Sequence, residues 1–329
     1  MLLILDGNNL AWAGYYGLER AIKPETPERQ LRVAVLGLAS MALGAIARGG
    51  VAPGTPPDGA VTDVAVCFDQ GRPIRRRAIF PAYQTGRERD PKFIANEPIV
   101  LAAIDELRDA ARWLPVAVLR APNTEADDLI AGLVRRNGGG PARIVSTDRD
   151  FLQLVGPATS IYSPVRKIVI DDAGFFAAMF PRADPDAPPF PRDRFLDYRA
   201  IVGDASDDVP GVPGVGEQSA VRLLAAAPLD AYFGDADRVR AALGRRSAAV
   251  EAAFASGAAR AIVERNRALM DLRRPAPCWD DLDALTQRGD WDADRFRGWI
   301  EGQNIRTVDA AALFARMEAL AEQGRPQQA

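Results

Sequence analysis

Leu2-Leu3-Ile4-Leu5-Asp6 opens the chain with four apolar residues closed by one acid. The same grammar returns twice. Val64-Ala65-Val66-Cys67-Phe68 ends in Asp69, and Arg143-Ile144-Val145-Ser146-Thr147 ends in Asp148. A fourth run, Val116-Ala117-Val118-Leu119, precedes the acidic group that begins at Glu125. Short continuous apolar runs between helical patterns read as strands of a parallel sheet buried on both faces. The helical patterns cover residues 31–47, 99–113 and 126–136. This alternation predicts an α/β fold. Such sheets bind ligands beyond the carboxyl ends of their strands, so the three aspartates are expected to point into one crevice.

Working outward, residues 49–60 are rich in Gly and Pro and read as a surface loop. Residues 160–171 look like a hairpin around Pro164, and residues 181–192, with five prolines, like a loop. Beyond Phe195 the pattern turns helical with short Gly/Pro breaks, which predicts a second, mostly α region. The longest apolar stretch, residues 33–47, lies between Arg32 and Arg48 and is too short for a membrane span, so a buried helix is expected.

Composition narrows the chemistry. With 329 residues and 48% hydrophobic content, the chain can form one large domain or two modest ones around a real core. The formal charge is −3, so attraction to nucleic acid has to come from a local patch. There is no histidine. That removes Ser-His-Asp and Cys-His catalysis and His-ligated zinc. Two cysteines, Cys67 and Cys278, cannot make a zinc site; they allow one disulfide that nothing else in the sequence supports, so a reducing cytoplasm is the default expectation. Met1 runs straight into apolar residues without the basic start of a signal peptide.

The acids group beyond the strand ends. In Thr124-Glu125-Ala126-Asp127-Asp128, Glu125 and Asp128 share a helix face, and helix capping by Thr124 accounts for this cluster taken alone. Ser146-Thr147-Asp148-Arg149-Asp150 and Gly203-Asp204-Ala205-Ser206-Asp207-Asp208 add further acids at close spacing. Together they exceed what capping explains. Mutually repelling carboxylates need cations to stay ionised, and hard divalent ions prefer oxygen ligands. A pair of such ions clamps the attacking water and the leaving oxygen of a phosphodiester.

In chain order, Leu5-Asp6-Gly7-Asn8-Asn9-Leu10, Phe68-Asp69, Thr124 to Leu129, Thr147-Asp148-Arg149-Asp150-Phe151 and Gly203 to Gly216 resemble the 5′-nuclease domain of bacterial DNA polymerase I and its stand-alone phage relatives, in the flap endonuclease superfamily. The likeness runs from residue 1 to about 225. It implies a PIN-like central, mainly parallel sheet with flanking helices, plus a mostly helical region with a helix–three-turn–helix DNA-binding element. Residues 1–199 would form the metal-dependent nuclease domain, with a helical arch over about 72–106. Residues 200–329 would hold the duplex-binding element, over about 200–226, and C-terminal helices. The resemblance implies two Mg²⁺ or Mn²⁺ ions. One would be held by Asp6, Asp69, Glu125, Asp127 and Asp128, the other by Asp148, Asp150, Asp204 and Asp207. Asp208 stands where the family usually has Asn. The implied duplex contacts are Gly211, Gly214, Val215, Gly216, Gln218 and Ser219, where the family often binds K⁺. Glycines let a backbone approach a phosphate, and a helix N-terminus offers free N–H donors.

Between residues 72 and 92, Arg72, Arg75, Arg76, Arg77, Arg87, Arg89 and Lys92 face only Glu88 and Asp90. Directly after the Asp69 strand, such a cluster suits phosphate attraction, with Arg72, Arg75 and Arg77 as DNA contacts. Arg76, Phe80, Tyr83 and Arg87 fit the family pattern that leads into the arch. Arg76, Tyr83, Arg87 and Lys92 are therefore expected at the reaction, Tyr83 stacking on a base. The family's Lys after that Tyr is Gln84 here. Losing a cation from a transition-state site costs on the order of 2–4 kcal/mol, which Arg87 or Lys92 would have to offset.

The implied function is a structure-specific 5′-nuclease, a 5′→3′ exonuclease and flap endonuclease using two metal ions in replication or repair. Its expected partners are DNA with a 5′ flap, nick or end, an RNA primer in a hybrid, and a separate DNA polymerase. It is expected to be a monomer without membrane contact, in a bacterial cytoplasm or as a phage protein acting there. The alternative is a branched-DNA binding protein with weak or no cleavage. Gln84 motivates it, and the intact acid set disfavours it. A PIN-like ribonuclease would lack the Gly211 to Gly216 element, and a phosphatase with an Asp nucleophile would not need the basic segment.

Overall fold

A computed structural model describes residues 1–179, 190–244 and 247–323. The proline-rich loop expected over 181–192 lies almost wholly outside the described residues. The chain forms two compact units. The first is Met1–Arg72, Lys92–Asp172 and Pro275–Ala329, and the second is Pro73–Pro91 and Ala173–Arg274. This division differs from the break expected at residue 199. The C-terminal residues return to the first unit, and the stretch expected to make one arch is shared between the two.

The first unit is built on a seven-stranded sheet. Its strands are β1 (Leu2–Asp6), β2 (Asp63–Cys67), β3 (Ala117–Leu119), β4 (Ala142–Val145), β5 (Thr159–Ser163) and β6 (Ile168–Ile170), with Thr286–Arg288 as the seventh. Their order is β6-β5-β4-β1-β2-β3, then Thr286–Arg288. β1 to β5 run parallel, and the two outermost strands are antiparallel. The four predicted strands and the hairpin at Pro164 are present. The apolar runs are buried as expected, with Leu3, Ile4 and Leu5 fully enclosed.

The register aligns the acids. Asp6 pairs across from Cys67, and Leu5 sits between Val66 and Val145. Asp69 and Asp148 follow β2 and β4 within three residues, so all three aspartates emerge at the same edge of the sheet.

The helix Gly7–Ile22 is not among the helical patterns read above, because Gly7-Asn8-Asn9 are poor helix formers. Asp6 makes it possible: as N-cap, its carboxylate accepts the Asn9 N–H at 3.2 Å. This helix crosses Pro27–Arg48 where Gly14 meets Gly37. A Cβ at Gly14 would lie 2.4 Å from the Gly37 carbonyl carbon, so the backbones touch directly. Pro27–Arg48 is capped by Thr26 and ended by Gly49 at φ 68°. It is apolar enough to cross a membrane, yet 67% of its most apolar window is buried inside the unit, as a core helix would be.

The C-terminal helices Ala293–Gly302 and Ala310–Gln323 complete this core with Phe296, Leu313 and Met317. Arg143 of β4 is buried. Its guanidinium binds both Asp58 carboxylate oxygens, at 2.9 and 2.5 Å, and pins the loop after Gly49.

The second unit is mostly helical, as predicted. Phe195–Val202, Glu217–Ala226, Ala236–Leu243, Ala248–Ala255 and Ala258–Met270 surround a two-residue ladder between Gly203–Asp204 and Val209–Pro210. Buried Asn266 ties it together, its amide donating to Ala200 O at 2.8 Å and Pro210 O at 3.0 Å.

Candidate active site

Asp6 is the most enclosed of the acids at the sheet edge. Its Oδ2 accepts the Ser146 hydroxyl at 2.8 Å. Burial first, and the neighbouring Asp69 charge second, push its pKa up to about 7, against the lowering pull of the Ser146 and Asn9 hydrogen bonds. Ser146 Oγ also receives the Asp148 N–H at 3.0 Å, and Asp148 Oδ1 accepts the Asp150 N–H at 2.7 Å. Asp69 Oδ1 takes the Ala126 N–H at 2.7 Å, so this carboxylate sits on the first turn of the helix Ala126–Arg136. The N-cap of that helix is Glu125 rather than Thr124, whose hydroxyl donates to Pro122 O instead. Glu125 and Asp128 are buried and Asp127 is half-buried. The Asp128 carbonyl accepts the Trp279 indole N–H at 2.6 Å.

Two asparagines that the acid pattern does not single out build the frame. Asn8 Oδ1 accepts the Asp69 N–H at 3.0 Å. Asn9 Oδ1 accepts both the N–H and the hydroxyl of Thr147, at 2.9 and 2.8 Å. One turn of helix thus clamps the ends of β2 and β4 beside that of β1. The signal was present as Asp6-Gly7-Asn8-Asn9, but it reads there only as a motif. Among the described residues no group of three acids forms a ready ligand shell. Their carboxylates rest instead on main-chain and hydroxyl donors. An all-oxygen donor set suits a hard cation, and the raised Asp6 marks where a positive charge would relieve repulsion.

A stack of aromatic rings also escaped the sequence pattern. Trp12 lies between Tyr16, at 5.5 Å, and Phe93, at 4.7 Å between centroids. Lys92 sits 4.8 Å over the Tyr16 ring and 3.5 Å from Glu19. Arg72, also in the first unit, lies 3.6 Å from Glu97.

In the second unit the basic segment turns inward. Arg76 is buried, its Nε donating to Leu269 O at 3.1 Å. Arg77 donates to Tyr83 O at 3.1 Å and pairs with Glu88 at 2.9 Å. Arg75 is half-buried. Tyr83, expected to stack on a base, is instead enclosed with Leu196, Val209, Leu269 and Met270, and only its hydroxyl reaches out, to Asp207 at 3.1 Å. An aromatic ring among apolar neighbours buries more surface inward than outward, which basic spacing alone does not reveal. Asp208 adopts φ 58° and accepts the Gly86 N–H at 2.6 Å. Asn and Asp tolerate that left-handed conformation best, which explains an acid where the family usually has Asn.

In the loop before Glu217–Ala226, Gly214 sits at φ 81° and Val215 N–H closes a turn on Val212 O at 3.0 Å. Val215 and Ser219 are buried, whereas Gly214, Gly216 and Gln218 are exposed and Gly211 is half-buried. Open space surrounds the Cβ position of Gly216, the N-cap.

Comparison with known proteins decides the family. Residues 1–179 match the model of the 5′-3′ exonuclease N-terminal resolvase-like domain, and residues 190–293 that of the 5′-3′ exonuclease C-terminal SAM fold. The chain belongs to the 5′-3′ exonuclease family. It is 32% identical over 310 residues to DNA polymerase I of Mycobacterium tuberculosis, covering 93% of this chain and 31% of the polymerase. It is 31% identical over 226 residues to the thermostable DNA polymerase I of Thermus filiformis, covering 68% and 23%. The chain thus spans less than a third of the length of these relatives. Among solved structures, the T5 D15 protein co-crystallised with metal ions aligns with a TM-score of 0.58 at 18% identity, over 98% of this chain and 99% of that one. The bacteriophage T5 D15 flap endonuclease in a pseudo-enzyme-product complex with DNA and metal ions aligns at 0.57 and 18%, over 92% and 97%. At that identity these likenesses show the fold: a mostly parallel sheet joined to a helical unit.

Proposed function

We propose that this chain is a structure-specific 5′-nuclease that hydrolyses DNA phosphodiesters at 5′ flaps, nicks or ends, with divalent metal ions, in replication or repair. What carries the reading is the alignment of Asp6, Asp69 and Asp148 at neighbouring strand ends, with the Asp6 pKa raised to about 7 beside Asp69. Asp6, Asp69, Glu125, Asp127, Asp128, Asp148 and Asp150 would hold Mg²⁺ or Mn²⁺. When bound, such an ion supplies a low-pKa water and neutralises charge on the phosphate. The residues of this chain do the rest. Ser146 and Asn9 hold Asp6 in place, and the Ala126 N–H orients Asp69. Water is the nucleophile, so no side chain forms a bond to the substrate.

The Trp12–Tyr16–Phe93 stack, with Lys92 beside it, suits unpaired bases and their phosphates. Gly214 and Gly216, exposed before the helix Glu217–Ala226, suit a duplex backbone. K⁺ at that loop, an RNA-primer substrate, a polymerase partner and a cytoplasmic location belong to the same proposal.

The test is cleavage of a 5′-labelled DNA flap in Mg²⁺ or Mn²⁺, with EDTA and Asp148→Ala controls. Metal-dependent release of short 5′ products, lost in the variant, supports the nuclease. Tight flap binding without cleavage in either metal would instead establish a branched-DNA binder.

A further inference from the structure

The family resemblance gives Asp204 and Asp207 to a second ion, but as they stand they do not fit one. Asp204 Oδ1 accepts the Ser206 N–H and hydroxyl, at 2.8 and 2.6 Å, and its Oδ2 is paired with Arg199. Asp207 is filled by Gln84 and Arg87 on Oδ1, at 3.0 and 2.6 Å, and by the Tyr83 hydroxyl on Oδ2.

The acidic turn of the first unit is held differently, by residues of the segment that follows Arg274. The Trp279 indole N–H donates to Asp128 O at 2.6 Å, across 151 residues of chain. In an α-helix that carbonyl already has the Gly132 N–H as its partner. The indole is an added donor, so it fixes where the carbonyl lies rather than satisfying it. Asp128, Gly132 and Arg135 fall at i, i+4 and i+7, on one face of the helix Ala126–Arg136. Trp279 covers that face. A Cβ at Gly132 would lie 2.6 Å from Trp279 Cδ1 and 2.9 Å from its Nε1, so the missing side chain is what leaves room for the ring. The Arg135 guanidinium sits 5.6 Å from the ring centre. Leu282 closes the same seat, its Cδ1 3.1 Å from the Gly132 Cβ position, and Arg136 is paired with Asp283.

A half-buried Trp often does no more than pack and find a partner for its N–H. Here the acceptor is the main chain of an acid in the first helical turn. The same turn is tied to the end of β2 by the Ala126 N–H on Asp69 Oδ1 at 2.7 Å. The turn that carries Glu125, Asp127 and Asp128 is thus fixed at two main-chain points, one from a strand end and one from Trp279.

Resting on the nuclease reading, we propose that Trp279 is a positioning residue of the candidate active site, which, seated on Gly132, sets through the Asp128 carbonyl where Glu125, Asp127 and Asp128 are presented. It touches no substrate. Its effect is on placement, so removing it should slow the reaction without weakening the hold on DNA.

The test compares Trp279→Phe, which keeps a ring but removes the N–H, with Gly132→Ala, which keeps the indole and fills its seat. Arg143→Met, which breaks the buried pair with Asp58, is the control for lost stability alone. Each full chain is assayed below its melting temperature for Mn²⁺ affinity by calorimetry and for kcat and KM on a 5′ flap. Expected in both Trp279→Phe and Gly132→Ala are about tenfold weaker Mn²⁺ binding and about tenfold lower kcat, with KM level and Arg143→Met unchanged in all three. Mn²⁺ affinity and kcat unchanged in both variants overturns the proposal. An equal loss in Arg143→Met also overturns it, because the effect is then one of stability. If the wild type binds Mn²⁺ but cleaves no flap, the nuclease reading fails, and the Mn²⁺ affinities alone decide whether Trp279 positions the acids.

Discussion

The Ser146 hydroxyl donates to Asp6 Oδ2 at 2.8 Å and at the same time accepts the Asp148 N–H at 3.0 Å. One small side chain at the end of β4 therefore sets the position of two acids on adjacent strands. Removing it acts on both. Ser146→Ala takes away a hydrogen bond that lowers the Asp6 pKa, so the acid limb of the pH–rate profile should move up by about one unit. Flap cleavage across pH, at limiting Mg²⁺ where proton and ion compete for Asp6, reads this directly, and an unmoved limb would show that Asp6 is set by other contacts.

Stability without metal should depend on the same group. The Asp6 pKa is raised in the folded state to about 7 from 3.8. Between those values the folded chain binds more protons than the unfolded one, so this contribution to stability is full below the lower value and is lost as pH rises through the upper one. The metal-free melting temperature should accordingly carry a downward component between pH 4 and 7 that Asp6→Asn lacks. Thermal melts in EDTA of both proteins, compared by slope, provide the measurement.

Arg143 offers a control with no catalytic part. It is buried and binds Asp58 through two hydrogen bonds. Arg143→Met should lower stability by about 2 kcal/mol in urea titration, the scale of a charge-assisted hydrogen bond. Well below the melting temperature its cleavage rate should match the wild type.

Trp12, centred in its ring stack, should matter for single strands and not for duplex. Trp12→Ala should weaken binding of a long 5′ flap by about 1–3 kcal/mol. Blunt duplex affinity, measured by fluorescence anisotropy, should stay level.

Gly14→Ala would push a methyl group to within 2.4 Å of the Gly37 backbone. The two helices have to separate, which should cost about 1–3 kcal/mol. Chemical denaturation would detect it as a lower midpoint at an unchanged m-value.

The strand ends were legible because burial on both faces demands continuous apolar runs, and Asp6, Asp69 and Asp148 interrupt those runs where the sheet stops. The helix Ala126–Arg136 was legible to the residue from its apolar spacing. Thr286–Arg288 was not, because a polar edge strand is defined by its neighbour β3 and not by its own pattern. The inward turn of Arg76 and Tyr83 was hidden for a related reason. Spacing identifies a basic segment, but the partners that bury it, such as Leu269 and Asp207, lie more than a hundred residues away.

The return of the chain to the sheet at Thr286–Arg288 has a consequence for synthesis. The first unit draws on residues that flank the second in the chain, so the second unit, closing at Arg274, is synthesised in full before Pro275 and the residues after it join the first. Until residue 288 emerges, β3 presents an open edge, and Phe296, Leu313 and Met317 are absent from the core. Nascent chains stalled before that point should be sensitive to proteolysis in the acid-bearing sheet while the helical unit already resists it. On this order of assembly, the helices of the second unit take shape before the acids are locked at their strand ends.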